Sequence, residues 1–470
     1  MIPAHIFKDQ KIGVFGLGKA GEAAVQSLLA GGATVFADDD KLGKGQPYAT
    51  WSWSELKALV LAPGVAETHP CALLAKKHQV SIIGDIEILC RSQPDARKIG
   101  ITGTNGKSTT TTLIGHILKE AGERVEVGGN LGTAALSLAP LGKGETYVLE
   151  LSSYQLDLVH TTCFNVAVFL NITPDHLDRH GDMAGYIAAK KHIFDRQTKD
   201  DVAIIAVDDE YTKALVNGWK LMVDGEGKLI KVSVTQILSD GIYVKDGVLY
   251  DNYFQPSTIS YQLPTTPALT GQHNWQNAAL AYAAARAQGI SPEKIIALMR
   301  TFPGLRHRLQ LVKTIDGVRF INDSKATNAD AVSHALKPYN NIYWIAGGKA
   351  KAGGIEPLVP LFLHIARAYL IGEAADEFAK TLEDKVPYVK CGTLDNAVKR
   401  AAEDAFAEKR EGAVVLLSPA CASFDQFNSF EHRGDVFCQL VESSQWSVTS
   451  SDATDYLPLT TNNSRSEHGS

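Results

Sequence analysis

Cysteine is scarce in this sequence of 470 residues and is never arranged in close pairs. The cysteines form no C-x-x-C pair and no spacing typical of a zinc site; they are Cys71, Cys90, Cys163, Cys391, Cys421 and Cys438. This pattern argues against a disulfide scaffold, a redox dithiol and a thiolate zinc centre. We expect reduced thiols that mostly serve in packing.

Long apolar runs and basic clusters are also missing. No stretch approaches the roughly 20 apolar residues that a membrane-spanning helix needs, and the first residues, MIPAHIFKDQK, lack the apolar core of a signal peptide. The formal net charge is −6, and no block rich in lysine or arginine is present, which disfavours a nucleic-acid partner. We therefore expect a cytoplasmic protein whose partners include neither a membrane nor nucleic acid.

Internal repeats are absent, and the chain instead alternates strands and helices in three blocks. Such alternation predicts α/β domains with parallel sheets and right-handed crossovers. We place the domains at residues 1–92, 93–301 and 302–446, followed by a polar tail at 447–470 that we expect to be disordered.

The pattern of apolar residues predicts individual elements within these blocks. Strands are expected at Lys11–Phe15, Ala33–Ala37, Leu59–Leu61, Ser81–Ile83, Tyr147–Leu151, Val166–Leu170, Val202–Ala206, Val318–Asn322, Ile342–Ala346, Ala368–Ile371 and Val414–Ser418. Helices are expected at Glu22–Ala30, Ser108–Ala121 and Asn274–Gln288. Residues 217–263 alternate polar and apolar side chains between glycines, which favours an antiparallel β insertion.

The segment that begins at Gly103 gives the clearest indication of function in this sequence. A β-branched run leads into a glycine-rich turn, and a lysine and a hydroxyl residue then open a helix; the turn and helix start read Gly103, Thr104, Asn105, Gly106, Lys107, Ser108 and Thr109. Backbone N–H groups and a helix N-terminus in this order form a cradle for nucleotide phosphates. The strict P-loop pattern is not met, because Ile101 stands where that pattern has its first glycine. A merely structural turn is the alternative.

A second glycine pattern lies near the start of the chain. Gly16-Leu17-Gly18-Lys19-Ala20-Gly21 follows a strand, and Asp38 comes about twenty residues later, as in dinucleotide-binding folds. The block is too short for a complete fold of that kind, and a second nucleotide cradle follows it. The segment is consistent with a phosphate site for a UDP-type ligand, with a nicotinamide or flavin dinucleotide site, or with a structural turn.

Polar residues follow several predicted strands, where parallel sheets bind their ligands. Glu150 ends one strand and is followed by Ser152, so that an acid there could hold Mg²⁺ beside ATP phosphates. His176 lies between Asp175 and Asp178 after the next strand and is a second candidate metal ligand or phosphate contact.

Lysines supply candidate cations in the later parts of the chain. Lys325, Lys349 and Lys351 follow strands of the third block and suit an anionic substrate. The pair Lys190-Lys191 lies on a predicted helix and, on chemistry alone, reads as a solvated face.

These motifs, taken in order from about residue 10 to 445, resemble the Mur ligases. The matching segments are Gly103–Thr109, Gly128–Gly132, Leu149–Leu156, Asp175–Asp178, Gly271–Asn277, His307-Arg308, Asn322–Asn328 and Leu417–Phe427. The last two are similar to the members that add D-glutamate. The resemblance implies an α/β chain of three domains: a small Rossmann-like domain for a UDP substrate, a P-loop-type ATPase domain with a parallel sheet, and a Rossmann-like domain for the amino acid.

The resemblance also implies an activity and its ligands. ATP would activate the carboxylate of UDP-N-acetylmuramoyl-L-alanine as an acyl phosphate, D-glutamate would attack it, and peptidoglycan assembly would use the product. Two Mg²⁺ ions are implied as cofactors, and the chain is expected to be a monomer.

Residue by residue, the resemblance implies roles around ATP and metal. Lys107 would grip phosphates, Ser108 and Glu150 would hold one Mg²⁺, and His176 would hold the second together with Lys190, carried as a carbamate. ATP would further contact Gly103, Thr104, Asn105, Gly106, Thr109, Asn274, Asn277, Arg308 and Asp323. Catalysis is expected of Lys107, Glu150, His176, Lys190 and Lys325.

The resemblance also implies contacts with the two other substrates. The UDP-linked substrate would meet Gly18, Lys19, Asn130 and Ser152. D-Glutamate would be held by Lys325, Thr327, Lys351, Ser423 and Phe430. The first block departs most from the family, since Ala20 and Ala62 stand where a hydroxyl residue often occurs and acids occupy residues 38–40.

Other interpretations remain open at this point. Another ligase of the superfamily is the nearest alternative, although the Asp-Asn-Pro-Arg motif of the diamino-acid-adding members is absent. A nicotinamide-dependent oxidoreductase and a non-catalytic nucleotide-binding module are the alternatives from other classes.

Overall fold

The computed structural model describes residues 1–219, 227–254, 258–266, 269, 271–350 and 354–443. The chain divides into two compact units, residues 1–302 and residues from 303 onward. The first unit contains two sheets and the second contains one. Lys351 and the tail at 447–470 lie outside the described residues. The domain bounds given above stay predictions.

The first sheet has five strands in the order β3-β2-β1-β4-β5. The strands are β1 (Lys11–Phe15), β2 (Thr34–Asp39), β3 (Lys44–Gly45), β4 (Leu56–Leu61) and β5 (Ser81–Ile83). All neighbours are parallel except β2 and β3. The helices of this part are α1 (Lys19–Ala30), α2 (Pro70–Lys77) and α3 (Asp85–Ser92). Parallel pairing places the glycine turn after β1 at the carboxyl edge of this sheet.

The large sheet has nine strands in the order β14-β13-β12-β11-β10-β9-β6-β8-β7. They are β6 (Arg97–Thr102), β7 (Val125–Gly129), β8 (Thr146–Glu150), β9 (Val166–Phe169), β10 (Val202–Ala206), β11 (Lys228–Ser233), β12 (Gly241–Lys245), β13 (Val248–Asp251) and β14 (Ile259–Gln262). The strands from β7 to β12 pair in parallel. Because β6 lies between β8 and β9, residues that follow these three strands meet at one edge.

Helices flank this sheet. They are α4 (Lys107–Glu120), α5 (Ser153–Leu156), α6 (Leu177–His180), α7 (Met183–Lys191), α8 (Glu210–Asn217), α9 (Gln272–Ala287) and α10 (Pro292–Met299). The long helix α9 is almost wholly buried beyond its first turn and packs on α4 and on the sheet, which explains its alanine-rich sequence.

The expected antiparallel insertion is only partly correct. β12, β13 and β14 do form an antiparallel meander, but β11 pairs in parallel with both β10 and β12. The helix α8 provides a crossover after β10, and a strand that follows such a crossover returns in the same direction. Local alternation of polar and apolar residues does not reveal this direction.

The second unit contains a sheet of six strands in the order β15-β16-β20-β17-β18-β19. The strands are β15 (Gln310–Ile315), β16 (Val318–Asn322), β17 (Ile342–Gly347), β18 (Ile365–Ile371), β19 (Tyr388–Gly392) and β20 (Val414–Leu417). Its helices are α11 (Ala329–Leu336), α12 (Ala375–Leu382), α13 (Leu394–Glu408) and α14 (Phe430–Ser443). Only the hairpin of β15 and β16 is antiparallel.

The central strands of this second unit form its core. β17 and β20 are buried along their whole length, as is typical of a parallel sheet covered on both faces. Leu416 in β20 is fully buried, whereas Leu363, in a 3-10 helix at Glu356–His364, is 80% exposed. The two leucines therefore offer the same side chain in opposite environments.

We predict that Leu416→Ala lowers the free energy of unfolding by about 2–5 kcal/mol, because it removes apolar contacts and leaves a cavity. Leu363→Ala should change it by less than about 0.5 kcal/mol, because that side chain is in water. Urea denaturation followed by circular dichroism measures both variants. Equal losses in the two would contradict the described core.

Candidate functional site

A glycine turn joins β6 to α4 near the middle of the large sheet. Gly103 and Gly106 both have positive φ angles, of 147° and 85°, which side-chain-bearing residues rarely adopt. The amine of Lys107 folds back over the turn and donates to the carbonyl oxygens of Gly103 and Thr104, each at 2.9 Å. Partly exposed Ser108 follows Lys107 in the first helical turn. A helix N-terminus with a lysine over it suits a phosphate group.

Asn171, which follows β9, holds this turn in shape. Its carbonyl oxygen accepts from the N–H of Thr104 at 2.9 Å, and its Oδ1 accepts from the N–H of Asn105 at 2.8 Å. Its Nδ2 donates to the carbonyl oxygen of Asn105 at 3.1 Å. The neighbouring segment contributes Thr173, whose N–H donates to Oγ1 of Thr104 at 3.1 Å. The turn is therefore fixed before any ligand arrives.

Asn277 on α9 lies beneath the same turn. Its Oδ1 accepts from Oγ1 of Thr110 at 3.2 Å, and its Nδ2 donates to Oδ1 of Asn274 at 3.0 Å. A Cβ atom on Gly106 would lie 2.3 Å from that same Oδ1, so only glycine fits at this position. The structure thus brings Asn274 and Asn277 to the phosphate turn. The predicted contact with adenine stays a prediction.

Glu150 ends β8 at the neighbouring position of the sheet edge. It is 3% exposed, and its Oε1 accepts from Nδ2 of Asn130 at 2.9 Å. Its other oxygen, Oε2, is buried and has no hydrogen-bond partner among the described residues. A buried carboxylate oxygen is costly to leave unpaired, so this atom marks a place for a cation or donor.

Lys190 on α7 is buried against the phosphate turn. Its amine donates to the carbonyl oxygen of Gly103 at 2.9 Å and lies 4.8 Å from the ring centroid of Tyr186, with the residue 1% exposed. Burial, and next the charge of Lys107, lower the pKa of Lys190 to about 7, although Glu150 acts in the opposite direction. The interpretation of this lysine as part of a solvated face is wrong, because α7 packs that side of itself onto the turn.

An aromatic cluster beside the turn was not found from the sequence. The ring of Tyr154 lies 5.0 Å from that of His176 and 5.5 Å from that of His180, and Tyr186 is 5.5 Å from His180. A ring nitrogen of His180 lies 2.9 Å from Oγ of Ser153. His176 is half-exposed here, whereas His180 is enclosed. The spacing of four residues between the histidines was the only hint, and it is not specific.

The remaining predicted residues of this edge have structural roles as well. Ser152 is the N-cap of α5, where its Oγ accepts from the N–H of Gln155 at 3.2 Å. Thr109 is partly exposed in the first turn of α4.

The donor set of this edge fits Mg²⁺ better than a protein-only metal centre. No group of three His, Cys, Asp or Glu side chains able to hold a metal occurs in the described ranges. Mg²⁺ is usually bound by one or two protein ligands together with substrate phosphates. The unpaired oxygen of Glu150 and the hydroxyl group of Ser108, at the start of α4, suit this type of coordination.

A cleft of about 670 Å³ lies beside the first glycine turn. Its lining includes Leu17, Lys19 and Ala37, together with residues 132–134 and Ser137, which follow Asn130 in the chain. Gly18 is the N-cap of α1, and Lys19 is its first residue. Of the predicted substrate contacts, Lys19 lines this cleft together with the segment after Asn130, and Gly18 precedes Lys19 in the chain.

The two acids that end β2 accept hydrogen bonds from the chain itself. Asp39 Oδ2 accepts from the N–H of Leu17 at 2.6 Å, and its Oδ1 accepts from the N–H groups of Lys41 and Leu42. These hydrogen bonds lower the pKa of Asp39. Asp38 accepts from the N–H of Tyr48 at 2.7 Å. Both carboxylates therefore brace loops, which disfavours a dinucleotide ribose at this place.

The second unit assembles its own polar edge after β16 and β20. Asp323 Oδ2 accepts from Oγ of Ser418 at 2.7 Å, and its Oδ1 accepts from the N–H of Leu309 at 3.2 Å. Burial raises the pKa of Asp323 to about 7. Arg308, which precedes Leu309, is exposed.

The predicted amino-acid contacts lie next to this edge. The amine of Lys325 is 3.9 Å from the ring centroid of Phe430, and Thr327 is partly buried nearby in the chain. Ser423 is 2% exposed, and its Oγ has no hydrogen-bond partner among the described residues. An exposed lysine and an orphaned hydroxyl suit a small anionic ligand.

Comparison with protein families finds two matches along this chain. Residues 101–285 match the family model described as Mur ligase middle domain, and residues 307–421 match the one described as Mur ligase, glutamate ligase domain. In the part of the chain that the structure describes, no helix is long and apolar enough to cross a membrane.

Curated relatives match over nearly the full length. The UDP-N-acetylmuramoylalanine--D-glutamate ligase of Rhodospirillum rubrum is 49% identical over 461 residues, which cover 94% of this chain and 96% of that protein. The protein of the same name from Caulobacter vibrioides strain NA1000 is 47% identical and covers 93% of this chain and 96% of its own.

Solved structures share the fold at low identity. A MurF structure from Acinetobacter baumannii has a TM-score of 0.58 at 18% identity and covers 94% of this chain and 93% of its own. MurF ligase from Thermotoga maritima, in complex with ADP, has a TM-score of 0.52 at 16% identity and covers 94% of this chain and 97% of its own.

We predict that Gly106→Ala lowers the affinity for ATP by at least about 10-fold, because the new methyl group collides with Asn277 and distorts the turn. Gly122→Ala is the matched control, since Gly122 lies just beyond the same helix with φ of 97°, and a Cβ atom there would meet no other atom within 4 Å. It should cost about 1 kcal/mol of stability without changing ATP affinity. Calorimetric titration with ATP tests the pair, and equal affinities would contradict the cradle.

Proposed function

The chain belongs to the Mur ligases, and we propose that it uses ATP to join D-glutamate to UDP-N-acetylmuramoyl-L-alanine in peptidoglycan synthesis. The relatives that carry this name cover more than nine-tenths of the chain. The observation that carries the proposal is the edge of the large sheet where the phosphate turn, Glu150 and Lys190 meet.

The proposed reaction has two steps. A carboxylate oxygen of the UDP-linked substrate attacks the γ-phosphorus of ATP, ADP leaves, and an acyl phosphate forms. The neutral amine of D-glutamate then attacks the acyl carbon, inorganic phosphate leaves, and the nitrogen loses a proton to give the amide. A carboxylate is a poor electrophile, so this activation is required. Because the transferred group is highly charged, positioning and charge stabilisation carry most of the catalysis.

The phosphate turn is the part of the chain that positions ATP. The N–H groups at the start of α4 would face the phosphates, since those of Thr104 and Asn105 are bonded to Asn171. Lys107 adds a cation that can turn from the carbonyl oxygens of Gly103 and Thr104 towards the γ-phosphate. The proposed phosphate position is surrounded by Thr104, Asn105, Ser108 and Thr109. We assign Asn274, Asn277, Arg308 and Asp323 to the rest of the nucleotide, as the family pattern implies.

Two Mg²⁺ ions are part of this proposal. Ser108 and the orphaned Oε2 of Glu150 would hold one, while His176 and modified Lys190 would hold the other. Bound Mg²⁺ would supply neutralisation of the charge on the phosphate oxygens.

We propose that Lys190 is carried as a carbamate. Its amine is buried, donates to two uncharged oxygens, Oγ1 of Thr102 and the carbonyl oxygen of Gly103, and lies near the cation Lys107. A neutral amine reacts with CO₂ to give the carbamate anion and a proton, and the lowered pKa of Lys190 keeps much of the amine neutral. The product is carboxylate-like, so a lysine becomes a metal ligand and the repulsion from Lys107 becomes attraction.

The two other substrates are assigned to the remaining polar groups. The cleft at Gly18 and Lys19 would take the UDP-linked substrate, with Asn130 and Ser152 towards its reacting end. D-Glutamate would be held by Lys325, Thr327, Ser423 and Phe430. Lys351, which lies outside the described residues, would also hold it. We further propose a cytoplasmic location, since ATP and nucleotide sugars are cytoplasmic substrates, and we propose that the chain acts as a monomer.

The direct experiment is a phosphate-release assay. Purified protein with ATP, Mg²⁺ and UDP-N-acetylmuramoyl-L-alanine should release phosphate only after D-glutamate is added, and L-glutamate should not replace it. Release with other amino acids would move the assignment to another ligase. Quenching of the protein's fluorescence by NADH, without any ATP hydrolysis, would move it to an oxidoreductase.

We predict that Lys190→Ala reduces turnover by at least about 100-fold, because the metal ligand and its charge are both lost. Bicarbonate should not restore the activity, since the amine that reacts with CO₂ is absent. Lys191→Ala is the matched control, because this partly buried neighbour is outside the proposed site and should keep nearly full turnover.

A second measurement addresses the carbamate itself. The unaltered protein and Lys191→Ala, supplied with ¹³CO₂, should show a carbamate carbon by NMR that is missing in Lys190→Ala. Full turnover in Lys190→Ala, or an identical ¹³C spectrum in all three proteins, would reject the modification.

A further inference from the structure

The turn that follows β20 contains a second orphaned polar atom. Oδ1 of Asp425 is buried and has no hydrogen-bond partner among the described residues, as is also true of Oγ of Ser423 two positions earlier. The two belong to one tight turn, in which the carbonyl oxygen of Ser423 accepts from the N–H of Phe427 at 2.8 Å. Two unsatisfied buried groups in one turn point to a ligand that carries both a donor and an acceptor.

The carboxylate of Asp425 is held in one position. Its Oδ2 accepts from the N–H of Glu373, which follows β18, at 3.2 Å. A Cβ atom on Gly372 would lie 2.1 Å from that oxygen, so the carboxylate packs directly on the backbone at the carboxyl end of β18. One oxygen is therefore anchored, and the other stays unpaired.

A structural explanation for Asp425 is charge balance for the buried Arg433. The guanidinium of Arg433, however, donates to Oγ and the carbonyl oxygen of Ser324 and to the carbonyl oxygen of Cys421, at 2.9–3.1 Å. Within the described ranges, no ion pair shorter than 4.0 Å involves Asp425. These partners are uncharged; burial lowers the pKa of Arg433, and the nearby charge of Asp425 acts to raise it. Charge balance therefore explains why a carboxylate stands here, but it provides no hydrogen-bond donor for Oδ1.

The hydrogen bonds of Arg433 also connect the turn after β20 with the predicted amino-acid contacts. It bonds Ser324, the neighbour of Lys325, and Cys421, which precedes Ser423 by two residues. The Oγ of Ser324 in turn donates to the carbonyl oxygen of Phe430 at 2.8 Å. The buried side chain of Arg433 therefore connects the segments that carry Lys325 and Phe430 with the turn that contains Ser423 and Asp425.

An amino acid with an acidic side chain presents two carboxylates and one ammonium group. Lys325 and Ser423 offer a cation and a donor for the carboxylates, whereas a carboxylate oxygen is the natural acceptor for an ammonium group. Resting on the function proposed above, we propose that Oδ1 of Asp425 receives the α-ammonium group of D-glutamate and fixes the direction of its nitrogen. Asp425 thus contributes to the recognition of an amino acid against other dicarboxylates.

The test compares ligands with and without the nitrogen. Asp425→Asn should raise the KM for D-glutamate by about 10- to 100-fold, because a neutral amide replaces the charged acceptor of the ammonium group. Glutarate has both carboxylates but no ammonium group, so its inhibition constant should stay unchanged or fall. A D-glutamate KM within twofold of the unaltered protein, or a parallel rise for glutarate, would overturn the proposal.

Glu373→Gln is the matched control, since it removes the same charge from an exposed neighbour of Asp425. It should leave both constants unchanged. If Asp425→Asn does not fold, the unaltered protein still provides a test: glutarate and D-2-hydroxyglutarate should each bind at least about 10-fold more weakly than D-glutamate. Equal binding would refute the ammonium contact.

A further measurement separates this proposal from the function on which it rests. Acyl phosphate formation does not need the amino acid, so positional isotope exchange in ¹⁸O-labelled ATP should occur with UDP-N-acetylmuramoyl-L-alanine alone. Exchange that persists in Asp425→Asn while the KM for D-glutamate rises supports the contact. Absence of exchange in the unaltered protein would reject the proposed function instead.

Discussion

The contact between the amine of Lys190 and the carbonyl oxygen of Gly103 is the interaction on which the edge of the large sheet depends. It buries an amine, which is a cation when protonated, beside the cation Lys107 and under the phosphate turn. Such an arrangement is unfavourable in isolation, because burial and like charge both oppose it. It becomes favourable when the amine is carried as the proposed carbamate, because an anion beside Lys107 is attracted to that cation and can bind a metal ion.

Both units have the same local arrangement at the carboxyl ends of their parallel strands. A segment leaves a buried strand, a glycine allows close backbone approach, and a polar atom is left without a partner. Glu150 Oε2 in the first unit, and Ser423 Oγ and Asp425 Oδ1 in the second, are the atoms in question. A folded chain tolerates few such groups, because each costs about 1–3 kcal/mol. Such atoms also occur elsewhere, for example Oε1 of Gln10 and Oγ of Ser92, so an unpaired atom indicates a ligand only where cationic or phosphate-binding groups lie beside it.

The sequence predicted regular elements well and long-range relations poorly. Strands at Lys11–Phe15, Val202–Ala206 and Val318–Asn322 have the predicted bounds, because buried parallel strands read as apolar runs. β15 was missed although Asp316-Gly317 forms a two-residue turn with positive φ at both positions, a recognisable hairpin pattern. The burial of Lys190 was not readable from its own helix. Only the family resemblance placed it in the site, because its partner Gly103 is far away in the chain.

The two glycine turns of the first unit explain why similar patterns give different sites. After β1, the carboxylate of Asp39 takes the N–H of Leu17 at 2.6 Å, so a negative charge already occupies the turn. After β6, the neutral amide of Asn171 braces the turn from behind, and Lys107 lies over it. The carboxylate weakens the attraction of the first turn for phosphate, and Lys19 offsets part of this effect, whereas the second turn attracts phosphate without such opposition. The sign of the side chain nearest to the open N–H groups, and not the glycine spacing, therefore decides which turn holds the triphosphate.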